Sequence, residues 1–217
     1  DDWVYVYNFD DPSVPLAINL PAGKGRELTK DAADAVEELK TALSKAFDNN
    51  EFEDSKAHLV KAFQDEVNSI MDELRKWAES KNFAIKRTPQ GFVNLPLIMA
   101  PPVAPQNGDA TEGEEPKAQE PVLREMQQEE FEKLTEEQQA ELQKASEEIS
   151  QKTLEKLRLI REKEKDLKDK IHELESQICR VAIAPVMSEL RAKYQPNEKL
   201  ERWLDDFTED LIANFNV

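Results

Sequence analysis

The residues best suited to chemistry are Gly23, Lys24 and Gly25, in the stretch PAGKGREL from Pro21 to Leu28. Two of the chain's five glycines flank a lysine there, between a β-like segment and a helix. A phosphate-binding loop has that setting. Its glycines let backbone N–H groups converge on the phosphates, its lysine reaches the β- and γ-phosphates, and a Ser or Thr hydroxyl holds Mg²⁺. The required spacing, G-x-x-x-x-G-K-[ST], is absent. Lys24 is followed by Gly25 and Arg26, no hydroxyl is present, and the first glycine is missing. The G-x-G-x-x-G spacing of a dinucleotide site is missing too. The stretch reads as a flexible basic turn feeding a helix.

Other chemistry is equally sparse. His58 and His172 are single, each on a predicted helix, with no cysteine at ligand spacing, so each reads as a surface or seam residue rather than a metal ligand. Cys179 lies on an apolar face with Ile178 and Val181. As the only cysteine it excludes an internal disulfide and reads as a small buried hydrophobe. No nucleophile elbow is present. Asp and Glu total 46, so the nearness of any two carboxylates carries no information. No catalytic, cofactor-binding or metal-binding residue is assigned.

The positioning elements are helical. Charged residues make up 35% of the chain and apolar ones 39%, a balance that suits long solvated helices better than a thick core. The net charge of −17 disfavours binding of nucleic acid or anionic lipid by bulk electrostatics. Lys163, Lys165, Lys168 and Lys170 alternate with acids and read as ion-paired helix faces. No apolar run approaches the roughly 20 residues needed to span a bilayer, no signal peptide is visible, and the expected compartment is the cytoplasm. A sequence opening DDWVYVYNFD without Met reads as a piece of a longer polypeptide.

Along the chain, residues 3–9 and 16–20 show strand signals, broken by DDPSVP. Two strands alone are marginal in water, so they want a sheet that lies elsewhere. Residues 28–49 form a helix on Val36, Leu39, Leu43 and Phe47, with Thr29 near its start. Residues 51–81 form a second, on Phe52, Leu59, Phe63, Val67, Ile70, Leu74 and Trp77, giving an antiparallel hairpin. Residues 83–98 read as a β-hairpin about Pro89, Gln90 and Gly91, with Pro96 pointing to an edge strand. Five of the twelve prolines fall within 100–121, a flexible linker by composition. Beyond it, Thr135 as N-cap and Gln138 open a helix that runs to Tyr194, about 85 Å long at 1.5 Å per residue. Ile160, Leu167, Leu174 and Val181 recur every seventh residue, interleaved with Leu157, Ile171 and Ile178. This is a coiled-coil seam, and Pro185 is expected to kink or interrupt it. The seam serves either an arm folded on the first hairpin or self-association. A final helix follows Pro196. The fold class is mainly α: a long helical hairpin or coiled-coil arm with a small β-hairpin and short N-terminal strands. Its segments are 1–27 (strands and turn), 28–99 (helical hairpin plus β-hairpin), 100–122 (Pro-rich linker) and 123–217 (long coiled-coil helix and C-terminal helix).

The succession DWVYVYNFDDPSVPLAINLPAGKGREL, two helices, RTPQGFVNLPL and an acidic coiled-coil stretch resembles the bacterial Lon-related, ATP-dependent proteases, in the group whose AAA+ module is nearer to archaeal-type Lon than to housekeeping Lon. Its most specific parts are YVYNFDDP with LPAGKGREL, and TPQGF. The resemblance implies that residues 1–27 belong to an ATPase sheet and that the helices are an insertion in that module. It places the nucleotide motifs and the Ser–Lys peptidase dyad outside these residues. ATP and Mg²⁺ would serve the parent enzyme. The partners would be the rest of the protease, neighbouring ring subunits and unfolded protein substrate, with no nucleic acid and no membrane. The implied role is a non-catalytic helical segment that gates or grips protein substrate, or couples ATP hydrolysis to proteolysis. A free-standing acidic coiled-coil adaptor or chaperone-like scaffold is the alternative, and it leaves the N-terminal strands without a sheet. An independent ATPase built on AGKG is the third reading.

Overall fold

A computed structural model describes residues 1–100 and 122–215. The segment read as a linker lies outside the described residues apart from its ends, Ala100 and Val122, which belong to strands. Among the described residues the order is β1 (Asp2–Val6), β2 (Leu16–Leu20), α1 (Lys24–Phe47), α2 (Asn50–Ser80), β3 (Phe83–Thr88), β4 (Gly91–Ala100), β5 (Val122–Glu125), α3 (Gln128–Glu132), α4 (Glu136–Tyr194) and α5 (Glu198–Asn214). The chain is mainly α-helical with small antiparallel sheets, as the hydrophobic periodicities predict. It forms two compact units, one of residues 1–61 with 166–217 and one of residues 62–165.

In the first unit β1 and β2 pair antiparallel, with Val4 opposite Ile18 and Val6 opposite Leu16. The strand expected over 3–9 stops at Val6 because Asn8 folds the connection. Its Oδ1 accepts from the Asp10 N–H at 3.1 Å, and its Nδ2 donates to the Val14 carbonyl at 3.0 Å. A two-stranded ribbon is marginal alone. Here one face of it, Val4, Ile18 and Leu20, is held in a core with Leu28, Leu39, Ile183 and Leu204 from the helices. The other face carries Trp3 and Tyr5, which are 61% and 75% exposed.

Helix α1 starts at Lys24 rather than Leu28. Gly23, at φ 87°, takes the left-handed conformation that only glycine adopts freely, and the helix begins directly after it. Thr29 is therefore no boundary. Its hydroxyl donates back to the Gly25 carbonyl at 3.0 Å inside the helix.

Helix α4 opens at the expected capping box, in which the Gln138 N–H donates to Thr135 Oγ1 at 3.3 Å and the Thr135 N–H to Gln138 Oε1 at 3.0 Å. Two expectations for α4 are corrected. Val181 is 76% exposed instead of lying on the seam, and Pro185 does not interrupt the helix. A strict seven-residue repeat drifts about 20° per heptad around a straight helix. Past Leu174 the buried face is Cys179, Ile183, Met187, Leu190 and Tyr194, at steps of four, four, three and four residues. That rotation turns Val181 and Pro185, four apart, toward solvent. The carbonyl that loses its partner to Pro185 is that of Val181, where water can reach it, so the helix continues. Pro185→Ala is expected to stabilise the protein by about 1–2 kcal/mol. Proline costs about 3 kcal/mol against alanine in a helix interior, offset in part by the freer unfolded chain. An unchanged or lower denaturation midpoint would contradict this.

In the second unit the last turns of its part of α2 bury Ile70, Leu74 and Ala78. Asn82 ends the helix in the left-handed region, at φ 59°. Ion pairs Glu66–Lys163 (3.0 Å), Glu73–Lys156 (3.0 Å) and Lys81–Glu148 (3.3 Å) run in opposite sense along α2 and α4, so the two helices are antiparallel here. An intramolecular partner thus exists for this part of α4. The sheet order is β3–β4–β5, with the β3–β4 turn at Pro89 and Gln90 as expected. Pro96 stands in the central strand, not at an edge. It is tolerated because it lies where one ladder ends. The Met126 N–H donates to the Pro96 carbonyl at 2.8 Å, and the return bond that proline cannot give falls just beyond β5. Asn94 ties β4 to α4, donating to the Ser146 carbonyl at 3.1 Å and to Ser150 Oγ at 2.8 Å. The small core is Ala78, Phe83 and Ile149, flanked by Trp77, Ile85, Leu142 and Ala145.

Candidate functional site

The Gly23–Gly25 turn meets the N-terminus of α1, where free N–H groups and the helix dipole favour an anion. The chain supplies that anion itself. Asp2 Oδ2 accepts from the Gly25 N–H at 2.9 Å. Gly25 is buried, and a Cβ placed on it would lie 2.9 Å from Asp2 Cβ and 3.2 Å from Val4 Cγ1. Glycine is required here so that β1 can lie against the helix, not so that a phosphate can enter. Lys24, which a nucleotide loop would direct at phosphates, is 2.6 Å from Glu27. These residues do not fit a triphosphate.

Glu27 also meets Lys193 at 3.1 Å, Lys193 meets Asp31 at 2.6 Å, and the Tyr194 hydroxyl donates to Asp31 at 2.5 Å. Hydrogen bonds from Lys24 and then Lys193 hold the Glu27 carboxyl below its ordinary range. Lys193 and then Tyr194 do the same for Asp31. Burial, with the Asp31 carboxylate beside it, pushes the Tyr194 phenol up. This network fastens α1 to the end of α4.

His58 and His172 are both exposed, on α2 and α4, and no cluster of metal-binding side chains occurs among the described residues. Cys179 is fully buried, as its apolar neighbours predict, and burial raises its thiol pKa. It is held away from any reagent. In the second unit a cleft of about 610 Å³ is lined by Phe83, Asn94, Phe131 and α4 residues such as Ser146 and Ser150, but the Asn94 amide is already engaged with Ser146 and Ser150.

The feature that sequence reasoning missed is an apolar groove of about 320 Å³ in the first unit. Leu28, Val36 and Leu39 of α1 line one wall, Trp203 and Phe207 of α5 another, and Tyr7 and Phe9 the third. Trp203 and Phe207 stack at 5.8 Å, and Phe9 lies 6.2 Å from Phe207. The polar tips are turned away from the groove: Trp203 Nε1 donates to the Tyr7 carbonyl at 2.9 Å, and the Tyr194 hydroxyl donates to Asp31. What remains is hydrocarbon. The signal available in sequence was the i, i+4 pair Trp203 and Phe207, one turn apart on a helix, yet nothing in the sequence brings that pair to Phe9.

A family model described as the Lon-like LonC helical domain matches residues 2–35. The match covers β1, β2 and the first half of α1, and over that segment the chain is similar to the helical domain of a Lon-like protease. Comparison with curated proteins and with solved structures gives no significant match. No helix among the described residues is long and apolar enough to cross a membrane.

Proposed function

We propose that these residues form a non-catalytic helical segment of a Lon-like, ATP-dependent serine protease with an AAA+ module, working in the cytoplasm. The observation that carries the reading is the match of residues 2–35 to the Lon-like helical domain. Two features support it. The exposed aromatic face of Trp3 and Tyr5 suits burial against a further sheet, the ATPase sheet of the parent enzyme. The turn at Gly25, occupied by Asp2, leaves ATP and Mg²⁺ to other parts of that enzyme. In this role the helices grip or gate unfolded polypeptide, or transmit ATP-driven motion to the proteolytic chamber, in contact with neighbouring subunits of a ring.

Excision of residues 28–195 from the parent enzyme tests the role. Degradation of a folded protein substrate, assembly, or both are expected to fail while cleavage of a short peptide persists. If protein degradation and assembly were both unchanged, the role would be wrong. Specific ATP turnover by these 217 residues alone would favour an independent ATPase instead.

A further inference from the structure

We propose that the outer edge of β1 is a junction, where a β-strand of the parent enzyme, from outside these residues, pairs with Trp3 and Tyr5. The proposal rests on the reading above that the chain is a segment of a larger protease, and it adds which edge carries the junction and what that edge takes. In an antiparallel pair, opposed residues alternate: one pair exchanges its backbone hydrogen bonds, and the next turns its N–H and carbonyl groups out to the two edges. Helix α5 shows which residues turn outward. On the β2 side the Asn19 carbonyl accepts from Asn197 Nδ2 at 2.9 Å, so Asn19 and Trp3 opposite it form an outward pair. The bonded pairs are then Asp2–Leu20, Val4–Ile18 and Val6–Leu16, and Tyr5 points outward with Trp3. The Tyr7 carbonyl, next in that alternation, accepts from Trp203 Nε1 at 2.9 Å. α5 thus obstructs the β2 edge at Asn19 and closes the β1 edge only beyond its end. Among the described residues nothing bonds the outward backbone groups of Trp3 and Tyr5.

A row of free N–H and carbonyl groups takes an extended strand and little else. Native proteins blunt such edges with lysine, proline, a bulge or a cover. β1, Asp-Trp-Val-Tyr-Val, has no lysine or proline, and its register with β2 has no bulge. The carboxylate of Asp2 is turned to the Gly25 N–H. An edge so unguarded suits a resident strand rather than a passing peptide, and the net charge of −17 sets second copies apart. The incoming strand lies beside the Trp3 and Tyr5 rings on one face and beside Val4, which packs on the core, on the other. It is therefore uncharged and rich in β-branched or aromatic residues. It extends the ribbon in its own plane, so the aromatic face stays free to be covered by a further sheet.

Amide hydrogen exchange, in the isolated chain and in the parent enzyme, tests the junction. In the isolated chain the Trp3 and Tyr5 amides should exchange near the unprotected rate, while the Val4 amide, bonded to Ile18, should be slowed. In the parent enzyme Trp3 and Tyr5 should be slowed as well, by about a hundredfold or more. Fast exchange of both amides in the parent would overturn the proposal and leave the role of the helices to the excision experiment. Protection in the isolated chain that disappears on dilution would show a second copy at the edge, and would overturn it too. Two substitutions separate the edge from the rings. Tyr5→Pro and Tyr5→Ala both remove the ring, but only Tyr5→Pro also removes the outward N–H, and both leave Val4 and Val6 bonded to β2. Protein degradation or assembly by the parent should fall about fivefold further with Tyr5→Pro than with Tyr5→Ala. Equal losses would assign the contact to the ring alone and overturn the junction. If Tyr5→Pro does not fold, the exchange of Trp3 and Tyr5 decides by itself.

Discussion

Replacing Phe83 with alanine is expected to lower the stability of the second unit by about 3–5 kcal/mol, the range for a buried phenylalanine whose cavity relaxes incompletely. Phe83 is 1% exposed and is the largest fully buried side chain, in a cluster with Ala78 and Ile149 that only partly buried residues such as Trp77 and Leu142 surround. So small a cluster has little left to collapse into the void. The loss should also be local. In single-tryptophan variants Trp77, which packs on this cluster, should report unfolding at much lower denaturant after the substitution, while Trp203, which packs on the other core, should move far less. Coincident shifts at both tryptophans would mean that the two units unfold as one, and the expectation would fail.

Gly25→Val should act on the first unit with a loss of about 3 kcal/mol. Its Cβ would come within 2.9 Å of Asp2 Cβ and 3.2 Å of Val4 Cγ1, both on β1 and neither the far end of a flexible side chain. Overpacking of this kind costs about 1–3 kcal/mol. The displacement of β1 also strains the Asp2–Gly25 bond, a charge-assisted contact of the type that contributes about 1.5–3 kcal/mol. A double-mutant cycle with Asp2→Gly checks the cause, since removing the Asp2 side chain takes away both the nearest clash and the bond. The two substitutions should be strongly non-additive, and the pair should be little worse than Asp2→Gly alone. Simple additivity would show that the glycine serves some other purpose.

Helix existence was legible because apolar spacing is a local property. Phe52, Ile70 and Leu74 fall on the buried face of α2 as their spacing requires, and Thr135 and Gln138 cap α4 where their types require. Misjudged positions are those where a distant contact decides. Gly23, not Thr29, starts α1 because Asp2, far back in the chain, supplies the anion for its first turn. Val181 leaves the seam because a multi-helix core, not a single partner helix, sets the buried face of α4. β5 and the central place of β4 went unseen because Val122–Glu125 is too short a run to carry a periodicity of its own. The groove was invisible for the same reason, since Phe9 and Phe207 meet only after folding.

The discontinuity of the first unit bears on how the chain emerges from the ribosome. The second unit is a single run that is complete once Lys165 has been added. The first cannot close until Leu200, Leu204 and Ile212 of α5 exist, because they supply part of its core. Vectorial synthesis therefore lets the later-encoded interior segment fold first. The β1–β2 ribbon, made before that segment, waits with its core-facing side uncovered. During that interval Val4, Ile18 and Leu20 are open to chaperones, and they close only when α5 supplies the rest of their core.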